Sequence, residues 1–236
     1  QHPNSLLIVG DVNTWKVAGE QIFKLLSGSG IHTESFIFPH NAPQLVPDEK
    51  AVEVLLQCGA PDRLFVAVGS GTINDLVRYV SYTTGNKYVS IPTAPSMDGY
   101  ASSVSPLIKN GVKQTVPAHA PKAIFVQPSL LATAPQRMIS AGIGDLIGKY
   151  TSLLDWQLAA AFTPETLNKP LMTMVSENRD RFFRDFCSSY FTPEACTALI
   201  WNLIITGLAI TVNGNSRPAS GSEHHISHLL EMQALQ

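Results

Sequence analysis

Cysteine is scarce in this chain. Its 236 residues hold three, Cys58, Cys187 and Cys196, with none of the paired spacing of a zinc cage. That excludes a disulfide framework and suits a reducing compartment. Charge is scarce as well: 14% of residues are charged against 44% hydrophobic, and the formal net charge is -2. Such a balance excludes a disordered chain. It supplies no basic field for gripping nucleic acid, so any anion must be held locally. No basic head precedes an apolar core, and no uninterrupted apolar run reaches ~18 residues, so neither a signal peptide nor a membrane span is expected. The expected location is cytoplasmic. What remains is a well-buried globular chain, long enough for one large domain or two modest ones.

The stretch Arg63 to Val80 organises the rest. Leu64 to Val68 is a short apolar run of the kind a buried parallel strand shows. It runs into Gly69-Ser70-Gly71, and then into Ile73, Leu76, Val77 and Val80 at helical spacing. Strand, glycine turn and helix let a backbone approach a phosphate closely and aim free N–H groups at it. The same glycines also serve a plain βα turn. The full dinucleotide fingerprint is not met, because Asn74 stands where a third glycine would be.

Around this stretch the pattern repeats. Ser5 to Val9 reads as a strand, followed by a helix from about Trp15 to Leu26. Ile31 to Phe38 reads as a second strand, Asp48 to Gln57 as a helix, and Tyr88 to Ile91 as a further strand. Strands alternating with helices on short turns predict a doubly wound parallel sheet. Asp11, just past the first strand, suits either a ribose hydroxyl or a helix cap. A proline-rich loop spans Pro39 to Pro47. After the strand at Tyr88 comes Pro92 to Val104, rich in hydroxyls, at a strand's carboxyl end where such sheets bind ligands. Residues 111–126 read as a hairpin or a pair of short strands. From Pro128 the pattern turns helical, with Gly142-Ile143-Gly144 expected to break it and a long helix expected from Asp145 to Phe162. Thr192-Pro193 opens another helix, to about Val212. The expected domains are 1–127 and 128–236.

Two residue sets could carry chemistry in the helical part. His224 and His228 are four apart, so on a helix they share a face. One imidazole could then sit on a metal and the other beside a substrate, although a polar helix start with surface histidines reads equally well. His225 reads as a surface residue. Asp145 suits a metal ligand, or a cap at a helix start.

Four pieces, in order, carry a resemblance. They are Gly69-Ser-Gly-Thr-Ile-Asn-Asp75, Pro92-Thr-Ala-Pro-Ser-Met-Asp-Gly-Tyr-Ala-Ser102, Gly142-Ile-Gly-Asp-Leu-Ile-Gly-Lys-Tyr150 and Ser216-Arg-Pro-Ala-Ser-Gly-Ser-Glu-His-His-Ile-Ser-His228. Through them the chain resembles the sn-glycerol-1-phosphate dehydrogenases, most closely the bacterial arabinose-operon (AraM) type. That family belongs to the metal-dependent polyol dehydrogenases, with glycerol dehydrogenase and dehydroquinate synthase. The resemblance implies a Rossmann-like α/β N-terminal domain, an all-α C-terminal domain and an active site in the cleft between them. It implies that Gly71, Thr72, Ile73, Asn74, Asp75, Thr93, Ala94, Pro95, Ser96 and Ser102 hold NAD or NADP. Asp145 and His224 would ligate one divalent metal ion, zinc by default, with nickel or iron also suited. Asp98, Asp145 and His228 would contact the substrate, with Asp98 and His228 in the catalytic roles.

The implied reaction is reduction of dihydroxyacetone phosphate to sn-glycerol 1-phosphate by NAD(P)H, in a homo-oligomer with no nucleic-acid partner. Arg217 and Lys149 are candidate partners for the substrate phosphate. Glycerol dehydrogenase is the alternative within the group, and Ser216-Arg217-Pro218 speaks against it. A non-catalytic nucleotide-binding relative is the alternative outside it. The family's second histidine ligand lies in a His-Gly motif beyond the His224 helix. The chain stops at Gln236 before one, so a longer protein is expected, with segments dropped between Ala161 and Ser189, where the family pattern is hardest to follow.

Overall fold

The computed structural model describes residues 3–39, 45–187 and 189–234; the part of the proline-rich loop at 40–44 lies outside them. The chain divides into two compact units, one of residues 1–94 and 104–134, the other of residues 95–103 and 135–236.

The first unit is a four-stranded parallel sheet in the order β2-β1-β3-β4. Its strands are β1 (Ser5–Asp11), β2 (His32–Phe38), β3 (Arg63–Gly69) and β4 (Lys87–Pro92). Alternation along the central strands shows why both faces are covered. Leu7 and Val9 of β1, with Phe65 and Ala67 of β3, enter one core, which α3 (Glu49–Leu56) and α4 (Gly71–Thr83) complete. Ile8, Val66 and Val68 point into a second core with Ala18, Trp15, Ile22 and Phe23. These last four come from one helical run made of α1 (Val12–Thr14), a π-wound stretch Trp15–Gly19, and α2 (Glu20–Ser27). Strand order reverses between β1 and β3, so the carboxyl ends of those strands form the sheet's switch point. The Gly69–Gly71 turn sits there.

An antiparallel hairpin, β5 (Val104–Lys109) and β6 (Val112–Pro117), completes this unit together with the short α5 (Pro128–Leu131). The expected hairpin at 111–126 is displaced toward the N-terminus. Its turn is Asn110-Gly111, with φ of 51° and 72°. Two positive φ values in succession are what a two-residue hairpin turn requires, so the Asn-Gly pair sets the register.

The second unit is helical. It holds α6 (Gln136–Ile147), α7 (Lys149–Phe162), α8 (Lys169–Phe186), α9 (Pro193–Asn213) and α10 (Ser222–Ala234), plus a single 3-10 turn, Gly99–Ala101. Leu153, Trp156, Val175 and Ala209 form one of its core clusters, with Leu167, Leu171 and Met172 packed against them. Thr192 caps α9 by accepting a hydrogen bond from the Ala195 N–H, and the helix ends on Gly214 at φ 77°. By length and composition α9 could cross a bilayer. More than half of it is buried inside the protein, including Asn202 and Thr206, which fits the core helix of this unit.

Two expectations are corrected here. The Gly142-Ile143-Gly144 sequence does not break a helix: α6 runs through it and ends at Gly148. A Cβ on Gly142 would lie 1.9 Å from the Pro95 carbonyl oxygen, so the glycine serves close approach of the chain at Pro95. The division of the chain also differs from the expected 127/128. Leu130 of α5 packs on the Ile8–Val66–Val68 core, which keeps that helix in the first unit. Residues 95–103 join the second unit because Gly142 of α6 and Gly207 of α9 admit their backbone; a Cβ on Gly207 would stand 2.5 Å from the Asp98 carbonyl oxygen.

Candidate functional site

In the first unit, the start of α4 is open. Its N-cap, Ser70, makes no side-chain capping bond, and the first turn holds no acidic residue. Gly71 and Thr72 are half-buried. Ile73 is a core residue, so a ligand there would meet its backbone N–H. Asn74 is fully buried, and among the described residues neither its Nδ2 nor its Oδ1 has a hydrogen-bond partner. An unsatisfied buried amide costs roughly 1–3 kcal/mol, so this position fits a polar ligand at the helix start. Thr93 donates its N–H to the Gly69 carbonyl at 3.1 Å, and Thr93 and Ala94 are both buried. Asp11 is a cap. Its Oδ1 accepts from the Asn13 and Thr14 N–H groups at 2.8 Å each, and Thr14 Oγ1 accepts from its N–H at 2.9 Å.

Asp75 belongs to a buried network. Arg78, with no solvent exposure, donates from Nη1 to Asp75 Oδ1 at 2.8 Å and to the Val104 carbonyl at 2.8 Å. Its Nε donates to the Tyr88 hydroxyl at 3.0 Å, and Ser105 Oγ donates to the Asp75 carbonyl at 2.9 Å. Burial alone would push the guanidinium toward neutrality, but Tyr88 and Asp75 outweigh it and raise its pKa. Sequence reading did not single out Arg78. An arginine one helical turn past Asp75, among apolar residues, was its only signal.

In the second unit, the 95–103 segment, α6 and α7 meet at a lysine. Lys149 is completely buried at the start of α7. Its Nζ lies 2.7 Å from Asp98 Oδ2 and 3.0 Å from Asp145 Oδ1, and donates to the Ala219 carbonyl at 2.7 Å. Asp145 Oδ2 also accepts from the Asp98 N–H at 2.7 Å. Asp145 therefore sits inside α6 with its carboxylate engaged, and it caps no helix. Burial first, then the neighbouring Asp145, push the Asp98 carboxyl up to about 6. Burial pulls the Lys149 ammonium toward neutrality, but the two carboxylates win and raise its pKa. Two carboxylates share one ammonium, so the corner carries an excess of negative charge. Pro95 and Ser102 are buried and Ser96 is half-buried along the same segment.

The histidines stand on α10. Its first N–H, at Ser222, is capped by Asp155 Oδ2 of α7 at 2.7 Å, which pulls the Asp155 carboxyl below its ordinary range. His224 and His228 share a face as expected, with ring centroids 4.4 Å apart and planes at 85°, whereas His225 is exposed. In donor type, a carboxylate on α6 and an imidazole on α10 suit a divalent cation, and the corner around Asp145 adds negative charge. Among the described residues, though, no three His, Cys, Asp or Glu side chains gather around one point as a metal cage. The two cations expected to meet a substrate phosphate are both engaged elsewhere. Lys149 holds the carboxylates, and Arg217 forms a two-pronged pair with Glu165 at 2.8 Å for each bond.

A family model described as iron-containing alcohol dehydrogenase matches residues 1–135. A glycerol-1-phosphate dehydrogenase [NAD(P)+] of Halalkalibacterium halodurans is 40% identical, covering 99% of this chain and 60% of that protein. One from Bacillus subtilis is 35% identical, covering 98% of this chain and 59% of that protein. The chain thus spans about 60% of the length of these relatives. Among solved structures, an iron-containing alcohol dehydrogenase from Corynebacterium glutamicum superposes with a TM-score of 0.72 at 16% identity. It covers 99% of this chain and 61% of that one. At such identity the likeness speaks for the fold.

Proposed function

The chain belongs to the iron-containing alcohol dehydrogenase family, and from that premise we propose that it serves an NAD(P)H-dependent oxidoreductase. The reaction is interconversion of dihydroxyacetone phosphate and sn-glycerol 1-phosphate. The observation that carries this reading is the buried Asp98–Lys149–Asp145 corner, in a chain 40% identical to a protein of that activity.

The first unit binds the dinucleotide. The uncapped start of α4 offers backbone N–H groups to the pyrophosphate, and the Asn74 amide offers a donor and an acceptor. The reduced nicotinamide supplies the hydride. In the second unit, Asp145 and His224 would hold a divalent ion. Zinc is the default for such donors, and nickel or iron also suits them. Bound there, the ion supplies Lewis-acid polarisation of a carbonyl oxygen. Lys149 holds the Asp145 and Asp98 carboxylates in place. Asp98, whose carboxyl is pushed up to about 6, positions a substrate hydroxyl. His228, one turn beyond His224, supplies the proton at the former carbonyl oxygen from an imidazole N–H.

The test is NADH or NADPH consumption by metal-supplemented protein, with dihydroxyacetone phosphate against unphosphorylated dihydroxyacetone. Preference for the phosphoketone is expected. If the unphosphorylated ketone reacts far better, the reading moves to a glycerol dehydrogenase. A second reading, a dinucleotide-binding relative without turnover, is favoured by the missing third metal-ligating side chain among the described residues. Tight dinucleotide binding with no retained metal would support it.

A further inference from the structure

Asp75 and Arg78 are the charged side chains buried in the first unit among the described residues. They lie on the helix whose start is the candidate pyrophosphate cradle. Asp75 is the fifth residue of α4, about 6 Å along the axis from Gly71 at 1.5 Å per residue. The helix N-terminus is worth roughly half a positive charge. A full negative charge that close, in surroundings where water screens little, would cancel that attraction and oppose a pyrophosphate.

We propose that Arg78 is the charge-compensating residue of the dinucleotide site: its buried guanidinium neutralises Asp75 and so keeps the start of α4 attractive to phosphate. This rests on the reading of the first unit as a dinucleotide binder. The geometry makes the compensation permanent. The guanidinium is fixed in three directions, by Asp75 Oδ1, the Tyr88 hydroxyl and the Val104 carbonyl, at 2.8, 3.0 and 2.8 Å. It cannot swing toward solvent or toward a ligand, so it acts on the dinucleotide through Asp75 and is a positioning residue. A surface lysine could not do this, because water and salt would screen it. An arginine serves better than a lysine because one planar group reaches all three acceptors.

The test is a charge-swap series on the whole chain, with NADH and NADPH affinity read by nicotinamide fluorescence and folding by circular dichroism. Arg78→Met should weaken both dinucleotides by about tenfold, the effect of roughly 1.4 kcal/mol. Adding Asp75→Asn to Arg78→Met should restore most of that loss, because the offending charge is gone. Loss of the Tyr88 and Val104 bonds persists in the double variant, so an Arg78 that acts only through those bonds predicts no restoration, and circular dichroism melts of both variants show whether any restoration comes from refolding alone. Arg78→Lys keeps the charge and should bind within about threefold of wild type; it decides the matter if Arg78→Met does not fold. Wild-type affinity in a folded Arg78→Met protein overturns the inference. So does a double variant as weak as the single one, or an Arg78→Lys protein far weaker than wild type. A wild-type chain that binds neither dinucleotide overturns the functional reading, and this inference with it.

Discussion

Each unit buries one ionic hub, and the two hubs are built to opposite rules. In the first, one guanidinium meets one carboxylate, and a tyrosine hydroxyl and a carbonyl take its other donors. The charges balance. In the second, one ammonium stands between two carboxylates, and burial first, then Asp145, push Asp98 up to about 6. A balanced buried pair holds structure and gains nothing from another ion, whereas an unbalanced one is stabilised by any cation that joins it. Burial by itself marks neither hub as functional; the charge count separates them.

Removing a proposed ligand from the unbalanced hub should have the largest effect. Asp145→Asn keeps the size of the side chain and its ability to accept from the Asp98 N–H, but removes the charge. Metal affinity should fall by at least about a hundredfold, and turnover with it, while dinucleotide binding stays near normal. Elemental analysis of the purified variant checks this. Unchanged metal content would mean that the unbalanced hub is structural, and the charge count would no longer separate the two.

Lys149→Met comes next. It leaves two buried carboxylates without their counter-charge, so the metal-free protein should lose about 3–5 kcal/mol of stability. Added zinc should then raise the variant's melting temperature more than the wild type's, because the ion replaces the missing charge. Arg78→Met should be destabilised comparably and show no such gain from metal. Equal metal responses from the two variants would erase the distinction between the hubs.

The legibility of these features from sequence follows their chemistry. The sheet could be read because its strands are short apolar runs closed by glycine turns, and the shared face of His224 and His228 follows from their spacing alone. Asp11 stayed ambiguous, since a carboxylate after a strand caps a helix or holds a ribose equally well until its hydrogen bonds are seen. Gly142 was misread because a glycine that breaks a helix and one that admits a neighbouring backbone look the same in a string of letters. Lys149 was missed as a hub because Asp98 and Ala219 lie far from it in sequence, and Arg78 because only its Asp75 partner is within a helical turn. Long-range pairing of that kind leaves no periodicity.

The two glycines of α6 sharpen the picture at smaller amplitude. Gly142→Ala would drive a methyl group into the Pro95 carbonyl, so the second unit should lose about 1–3 kcal/mol and shift the segment that carries Asp98. Gly144→Ala meets nothing within 4 Å and sits inside the same helix, so it should add about 0.5–1 kcal/mol. Urea denaturation of the pair measures both. Equal effects would show that α6 does not clasp the 95–103 segment.

The smallest effect lies at the rim of the balanced hub. His119 Nε2 is 2.9 Å from Ser81 Oγ, and its ring meets Tyr88 edge-on at 5.6 Å and Tyr82 at 6.0 Å. Burial, then Lys122 and Arg78, hold its pKa below the ordinary histidine value of 6.5. The unfolded chain therefore takes up the proton at a higher pH than the folded one. The stability this group contributes is complete above 6.5 and is lost as pH falls through the lower folded value. The ring is only partly buried, so solvent screens it and the slope should be shallow. His119→Gln can still pair with Ser81 but cannot titrate. Melting temperatures of the two proteins should run parallel above pH 7 and converge as pH falls toward 5.5, the wild type giving up its advantage. Curves that stay parallel over the whole range would show that folding does not lower the His119 pKa.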